Sequence, residues 1–334
     1  MREGSLQFGV SYFGVRDPRH VRTDLDEIAA AGFSAVTHTL SEYDLRFHLE
    51  DVRRVIDETK ARGMEASLDP WGVAGLFGGE AYSELALTDL ASRQVDSSGA
   101  SLPACCPNAA ATRDLLVRWA KVAGEMGADL VFWDEPHYYL GAFGGPRPTS
   151  GCRCRSCEDA WRAAHGSALP DEDDHRLAAF RRDALARLLE VAIAAAPSCR
   201  HSLCLLPQHE FSAAGTDDWS AFASLASLSR LSTDPYWMDR PVDPAEFVRM
   251  HCRPLKEWCD RTNREMEVWI QAIRIRAGHE ASIEHAVQAA AESGAERIAF
   301  WSFRGTDRMS HLTCEDPDAA WAAMKRAVLR RIVA

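Results

Sequence analysis

The sequence predicts an α/β fold, a (β/α)8 TIM barrel with long loops after strands 3 and 4, on three observations. Short apolar, β-rich runs alternate with amphipathic helical stretches, the pattern of a parallel sheet covered by helices. The alternation repeats eight times in 334 residues, whereas an open doubly wound sheet usually stops at about five or six strands. Several helices end in glycine corners, the left-handed stop that returns the chain to the next strand.

The first run, Leu6–Phe13, leads to a helix over Arg22–Ala31 that stops at Gly32. The second, Ser34–Leu40, leads to a helix over Leu49–Arg62 that stops at Gly63. After the third, Met64–Asp69, a glycine-rich excursion over Trp71–Pro107 precedes the helix at Thr112–Met126 and its corner at Gly127. The fourth, Asp129–Asp134, carries another excursion, His137–His175, before the helix at Leu177–Ala195. No helix is assigned after the fifth strand, His201–Leu206. Arg230–Asp234, Glu267–Ile273 and Arg297–Phe303 complete the set, with helices over Pro244–Asn263, Ile283–Ser293 (corner Gly294) and Pro317–Ile332. Both excursions leave from the C-terminal ends of strands, where barrel active sites are built. The expected organisation is one barrel domain over residues 1–334, because barrels of this length occur as one unit.

Bulk properties narrow the partners. A hydrophobic fraction of 46% is that of a globular chain able to bury a sizeable core. The net charge of −11, with Lys and Arg scattered, argues against nucleic acid and against an anionic membrane surface. No basic, apolar leader opens the sequence and no apolar run approaches the length of a membrane span, so a cytoplasmic protein is expected. The expected partner is a small molecule, with homo-oligomerisation left open. Ten cysteines in a reducing compartment point to thiols or metal ligands more than to disulfides.

Three of those cysteines, Cys152, Cys154 and Cys157, fall within six residues. With a fourth thiolate from elsewhere they meet the tetrahedral demand of a structural zinc ion, and Cys105 and Cys106 are both candidates for the fourth. A closed four-thiolate site pins loops and does no chemistry, since no coordination position stays open. Cys199, Cys204, Cys252, Cys259 and Cys314 stand alone and read as ordinary buried cysteines.

The order Cys106-Pro107-Asn108, a helix, a strand ending in an acidic motif, then Cys-x-Cys-x-x-Cys leading into an Ala-Trp helix resembles the barrel domain of family 42 glycoside hydrolases, the zinc-containing β-galactosidases. The resemblance covers about residues 104–165 well, a zinc-bound loop subregion, and the rest only as barrel order. It favours Cys106 as the fourth ligand beside Cys152, Cys154 and Cys157. It also implies that Glu135 matches the general acid/base of the family's Asn-Glu pair, with Asp134 at the hydroxyl-binding Asn. The family's nucleophile is a Glu at the end of the seventh strand. Here the matching position is Gln271, an amide that cannot attack an anomeric carbon.

Glycoside hydrolysis needs a proton donor for the leaving oxygen and a second carboxylate as nucleophile or base. Glu135 ends the fourth strand before Pro136, and Asp234 ends the sixth in the similar setting Asp234-Pro235-Tyr236-Trp237. These are the expected catalytic pair; plain strand capping and an Asp-Pro turn are the competing readings. Asp134, His137, Asp69, Trp71, Tyr236, Gln271, Trp301 and Arg304 are the expected substrate-binding residues. Aromatics at strand ends, including Tyr138, Tyr139 and Trp237, suit the C–H face of a sugar or simply fill the core. Trp301 resembles the tryptophan that related glycosidase barrels place under the sugar. Glu42 is a further strand-end acid, and His38 and His209 are further hydrogen-bonding candidates. Gly75, Gly78 and Gly79 do not follow a phosphate-cradling pattern and read as a lid. The expected function is a glycosidase acting on a small sugar or glycoside. The missing seventh-strand Glu keeps two alternatives in view, a non-hydrolytic sugar lyase or isomerase and a catalytically inactive carbohydrate-binding barrel.

Overall fold

A computed structural model describes residues 6–141, 150–172, 174–207, 214–216, 218–237 and 240–332; His209 lies outside them. Eight parallel strands close a barrel: β1 (Gln7–Ser11), β2 (Ala35–Thr39), β3 (Glu65–Asp69), β6 (Leu130–Trp133), β7 (Arg200–Leu205), β8 (Arg230–Thr233), β9 (Glu265–Gln271) and β10 (Arg297–Trp301). The (β/α)8 architecture is as predicted, and every barrel strand lies within two residues of its expected bounds. The large covering helices are α1 (Pro18–Ala30), α3 (Leu49–Ala61), α5 (Ala110–Glu125), α7 (Arg176–Ala195), α9 (Pro244–Thr262), α10 (Ala281–Glu292) and α11 (Pro317–Ile332). The four predicted corner glycines, Gly32, Gly63, Gly127 and Gly294, all have positive φ. No helix among the described residues is long and apolar enough to cross a membrane.

The pieces that sequence patterning left out are short. They are α2 (Glu42–Phe47), α4 (Glu84–Thr88), α6 (Arg155–His165), the four-residue α8 (Ser220–Ala223) after β7, and an antiparallel hairpin of β4 (Arg93–Val95) and β5 (Ser101–Cys105) inside the third excursion. Most span less than the window in which helical or strand periodicity declares itself. Only the Ala-Trp helix, α6, had any foreshadowing, in the stretch after the cysteines.

Strand alternation decides which residues face the barrel interior, because successive side chains point to opposite faces. On β6, Val131 and Trp133 join the layer between strands and helices, while Leu130 and Phe132 join the interior cluster with Trp269, Ala299 and Trp301. The same phase puts Glu65, Ser67 and Asp69 of β3 inward, and Arg230, Ser232 and Asp234 along β8. The interior therefore has a floor and a mouth of different character. At the floor Arg230 Nη1 donates to Glu267 Oε1 at 3.0 Å and Nη2 to Glu65 Oε1 at 3.3 Å, and Arg297 Nη2 also reaches Glu65 Oε1 at 3.0 Å. Burial alone would push Glu65 up, but Arg230, Arg297 and Arg200 together hold it below the usual carboxylate range. The mouth gathers carboxyls instead.

Candidate active site and cysteine cluster

Asp69, Asp134 and Glu135 stand together because β3 and β6 are neighbours in the barrel. Asp69 ends β3 on the inward phase and is 0% exposed, and among the described residues neither Oδ has a hydrogen-bond partner. Asp134 is half-buried at the end of β6. Burial and then the charge of Glu135 hold Asp134 well above the usual carboxylate range, and burial followed by the charges of Asp134 and Glu135 does the same to Asp69. Glu135 has φ of 44°, a left-handed conformation that costs a non-glycine residue about 1–3 kcal/mol. That turn takes the chain out of the strand phase, so both side chains of the Asp134-Glu135 pair stay at the mouth.

The third excursion packs directly on this pair. Gly78 N–H donates to the Asp134 carbonyl at 3.1 Å, and His137 N–H to the Leu76 carbonyl at 2.9 Å. A Cβ added at Gly78 would lie 2.1 Å from Asp134 Oδ2 and 3.5 Å from Glu135 Oε2, so any side chain there would displace the Asp134 carboxyl. Glu42 fastens the same excursion, accepting from Ala74 N–H at 2.9 Å and Leu85 N–H at 2.8 Å. Both oxygens of this strand-end acid thus hold a loop in place. His137 is pushed down to about 4 by burial, against the opposing hydrogen bond from Nδ1 to the Glu135 carbonyl. It is neutral at neutral pH and keeps Nε2 as an acceptor.

Asp234 approaches from β8 and is buried, with the Cys204 thiol 3.8 Å from its Oδ1. Cys204 and Tyr236 feel the charge of both acidic groups. The Tyr236 phenol is raised well above its usual range by burial, then by Asp234, Asp134, Cys204 and Glu135; Cys204 is raised by burial, then by Asp234, Asp134 and Glu135. Beside the acids stands a ring stack. Trp71 lies 5.2 Å from Trp301 at 15°, Phe13 lies 5.3 Å from Trp301 at 25°, and Trp269 lies 5.7 Å from Trp301 at 53°.

Other expected residues have different employment. Gln271 is 1% exposed and spends both ends of its amide on backbone: Oε1 accepts from Trp237 N–H and Nε2 donates to the Ile273 carbonyl, both at 2.8 Å. A carboxylate cannot make the second bond, so Gln271→Glu is expected to lower unfolding stability by about 1–3 kcal/mol and to create no activity. Denaturant titration and the aryl glycoside assay described below check this. Arg304 donates from Nη2 to Glu27 Oε2 at 2.6 Å, facing α1. His38 points outward to Thr59 of α3 and to the Tyr12 carbonyl. Tyr138 is buried near Cys157, Cys106 and Cys152, and the Tyr139 N–H donates to Gln94 Oε1 at 3.0 Å. Phe13 and Trp269 are mouth residues to which the sequence assigns no role, Cys204, expected as an ordinary buried cysteine, is a third, and Gly78, expected in a lid, lies against the acidic pair. The alternation of their strands would have put the first three on the inward face.

The sulfurs of Cys106, Cys152, Cys154 and Cys157 all lie within 4.8 Å of one another, and all four residues are buried. Tetrahedral zinc with bonds of about 2.3 Å spaces its sulfurs about 3.8 Å apart, so the set is able to hold a metal ion. Asn108 N–H donates to Cys106 Sγ and Asn108 Nδ2 to Cys157 Sγ, each at 3.4 Å. Cys105, the alternative fourth ligand, stands outside this set, its thiol pushed up to about 12 by burial and by Glu42. The cluster joins the two excursions, since Cys106 follows β5 while Cys154 and Cys157 open α6, and Arg153 N–H donates to the Val95 carbonyl of β4 at 2.7 Å.

No family model matches the chain, and no curated protein sequence matches it. Among solved structures it is similar to a cold-adapted β-galactosidase from a Rahnella species, with TM-score 0.68 and 12% identity over 99% of this chain and 56% of that one. It is also similar to a GH5_18 enzyme variant of Streptomyces cattleya in complex with Manβ1-4GlcNAc, with TM-score 0.63 and 14% identity over 98% of this chain and 81% of that one. A D-allulose 3-epimerase from Methylomonas sp. in complex with D-allulose matches with TM-score 0.53 and 13% identity over 98% of each chain. At identities this low the likeness shows the fold alone: the chain is a (β/α)8 barrel, a fold it shares with these glycosidases and with the epimerase.

Proposed function

We propose that the protein is a glycoside hydrolase-like enzyme acting on a small sugar or glycoside. The observation that carries this reading is the convergence of Asp69, Asp134, Glu135 and Asp234 on one barrel mouth beside stacked indoles. Glu135 is the general acid/base that protonates the leaving oxygen, and Asp234 is the second carboxylate, acting from the β8 side. Asp134, His137 and Tyr236 bind sugar hydroxyls, while Trp71 and Trp301 take the C–H face of the ring. Zinc at Cys106, Cys152, Cys154 and Cys157 is structural, because four thiolates leave no open position. The resemblance to family 42 over residues 104–165 supports both assignments. The whole chain, 1–334, is read as one cytoplasmic barrel domain with this zinc-bound loop subregion.

The locked amide of Gln271 favours keeping a second reading, since it takes the retaining nucleophile's place without offering a carboxylate. Under that reading the barrel isomerises or merely binds a sugar, as befits a fold it shares with an epimerase. A panel of aryl glycosides separates the two. Wild-type protein is expected to release phenol from at least one sugar, and Asp234→Asn to lower that rate by at least about a hundredfold, the low end for one catalytic carboxylate. Activity untouched by Asp234→Asn removes it as the second carboxylate. No phenol release from any sugar, alongside calorimetric binding of the free monosaccharide, supports the epimerase or binding reading.

A further inference from the structure

Asp69 is the deepest acid of the mouth, and its surroundings do not suit a carboxylate. It is fully buried at the end of β3, and among the described residues neither oxygen accepts a hydrogen bond. From β6 it is faced by Asp134 and Glu135; from β2 its register partner is Thr39; from the following excursion Trp71 N–H is engaged with the Asp69 carbonyl. Among the described residues no basic side chain acts on it. An ionised carboxyl there would leave its lone pairs empty in a low-dielectric site beside two like charges. A neutral carboxyl carries no such penalty and brings its own O–H donor.

We propose that Asp69 is a positioning residue that keeps its proton across the working pH range and so leaves the negative charge on the β3–β6 side of the mouth to the Asp134-Glu135 pair. It acts through Asp134, because a neutral neighbour lets the pair carry a charge that a third carboxylate would oppose. Its importance for catalysis rests on the glycosidase reading above, but its protonation does not.

The test compares full-length wild type and Asp69→Asn, an isosteric amide that resembles the neutral acid, in two measurements. Calorimetric melting is followed from about pH 4 to about pH 8, the range in which the unfolded chain, with an Asp pKa of 3.8, has given up its proton. A carboxyl whose folded pKa lies above its unfolded value stabilises the fold less and less as pH rises between the two. The Tm of Asp69→Asn is therefore expected to gain on wild type with rising pH, by roughly 2 °C per pH unit. In the infrared, wild type at neutral pH is expected to show the C=O stretch of a protonated carboxyl, and Asp69→Asn to lose one such band. A variant that falls further below wild type as pH rises overturns the proposal, as does a wild-type spectrum with no protonated carboxyl at neutral pH. The infrared measurement on wild type stands even if the variant does not fold. Neither measurement uses turnover, so a Glu135→Gln result that sinks the glycosidase reading leaves this one to be judged separately.

Discussion

Glu135→Gln is expected to reduce glycoside turnover by about 10²- to 10⁴-fold while the barrel stays folded. The amide has the shape of the acid, so the left-handed turn at φ 44° and the close approach of Gly78 are undisturbed. What it lacks is a proton to give the leaving oxygen. Asp134→Asn should cost less, because an amide still binds a hydroxyl and matches the residue that family 42 enzymes carry there. Steady-state kinetics on the responsive aryl glycoside, with circular dichroism to verify folding, check both. If Glu135→Gln retains activity within about tenfold of wild type, Glu135 is not the general acid.

The second large effect concerns the cysteine cluster. One zinc per chain is expected by metal analysis, and its removal by a chelator should lower the apparent unfolding stability by about 4 kcal/mol or more, as losing a structural metal does. None of the four cysteines lies on a barrel strand, so the loss falls first on the loops the cluster joins. The β4–β5 hairpin, the start of α6 and the segment Gln94 holds through the Tyr139 N–H would all loosen. Because this support adjoins the Asp134-Glu135 turn, activity should fall together with stability. Single serine substitutions at Cys106, Cys152, Cys154 or Cys157 should each reproduce the effect, while Cys105→Ser should leave zinc content intact. A preparation free of zinc that melts like the metal-loaded protein would overturn the structural assignment.

Much of the fold was legible because each barrel strand is a self-contained signal, an apolar run with an inward-outward phase, and β2, β3, β6 and β10 also have a glycine corner before them. The hairpin of β4 and β5 and the short α2 and α4 were not, since only a few residues define each and tertiary contacts such as Glu42 to Ala74 and Leu85 hold them. At the site, strand-end position flagged Asp69, Asp134, Glu135 and Asp234 as acids to watch. It could not tell that Glu42 would be used up on backbone donors, that Gln271 would staple Trp237 to Ile273, or that Arg304 would turn to Glu27. Those outcomes depend on which donors the loops deliver, and loop paths leave little trace in local periodicity. The choice of Cys106 over Cys105 was likewise a matter of which neighbour faces the cluster, and family likeness pointed to it before geometry did.

The most direct measurement is a crystal structure of the Glu135→Gln variant soaked with the aryl glycoside that wild type cleaves. A sugar ring is expected at the barrel mouth with one face against Trp301. The glycosidic oxygen should lie within hydrogen-bonding reach of the side chain at position 135, and Asp234 on the opposite side of the anomeric carbon. A glycoside bound elsewhere, or one at the mouth whose anomeric centre faces neither position 135 nor Asp234, would contradict it.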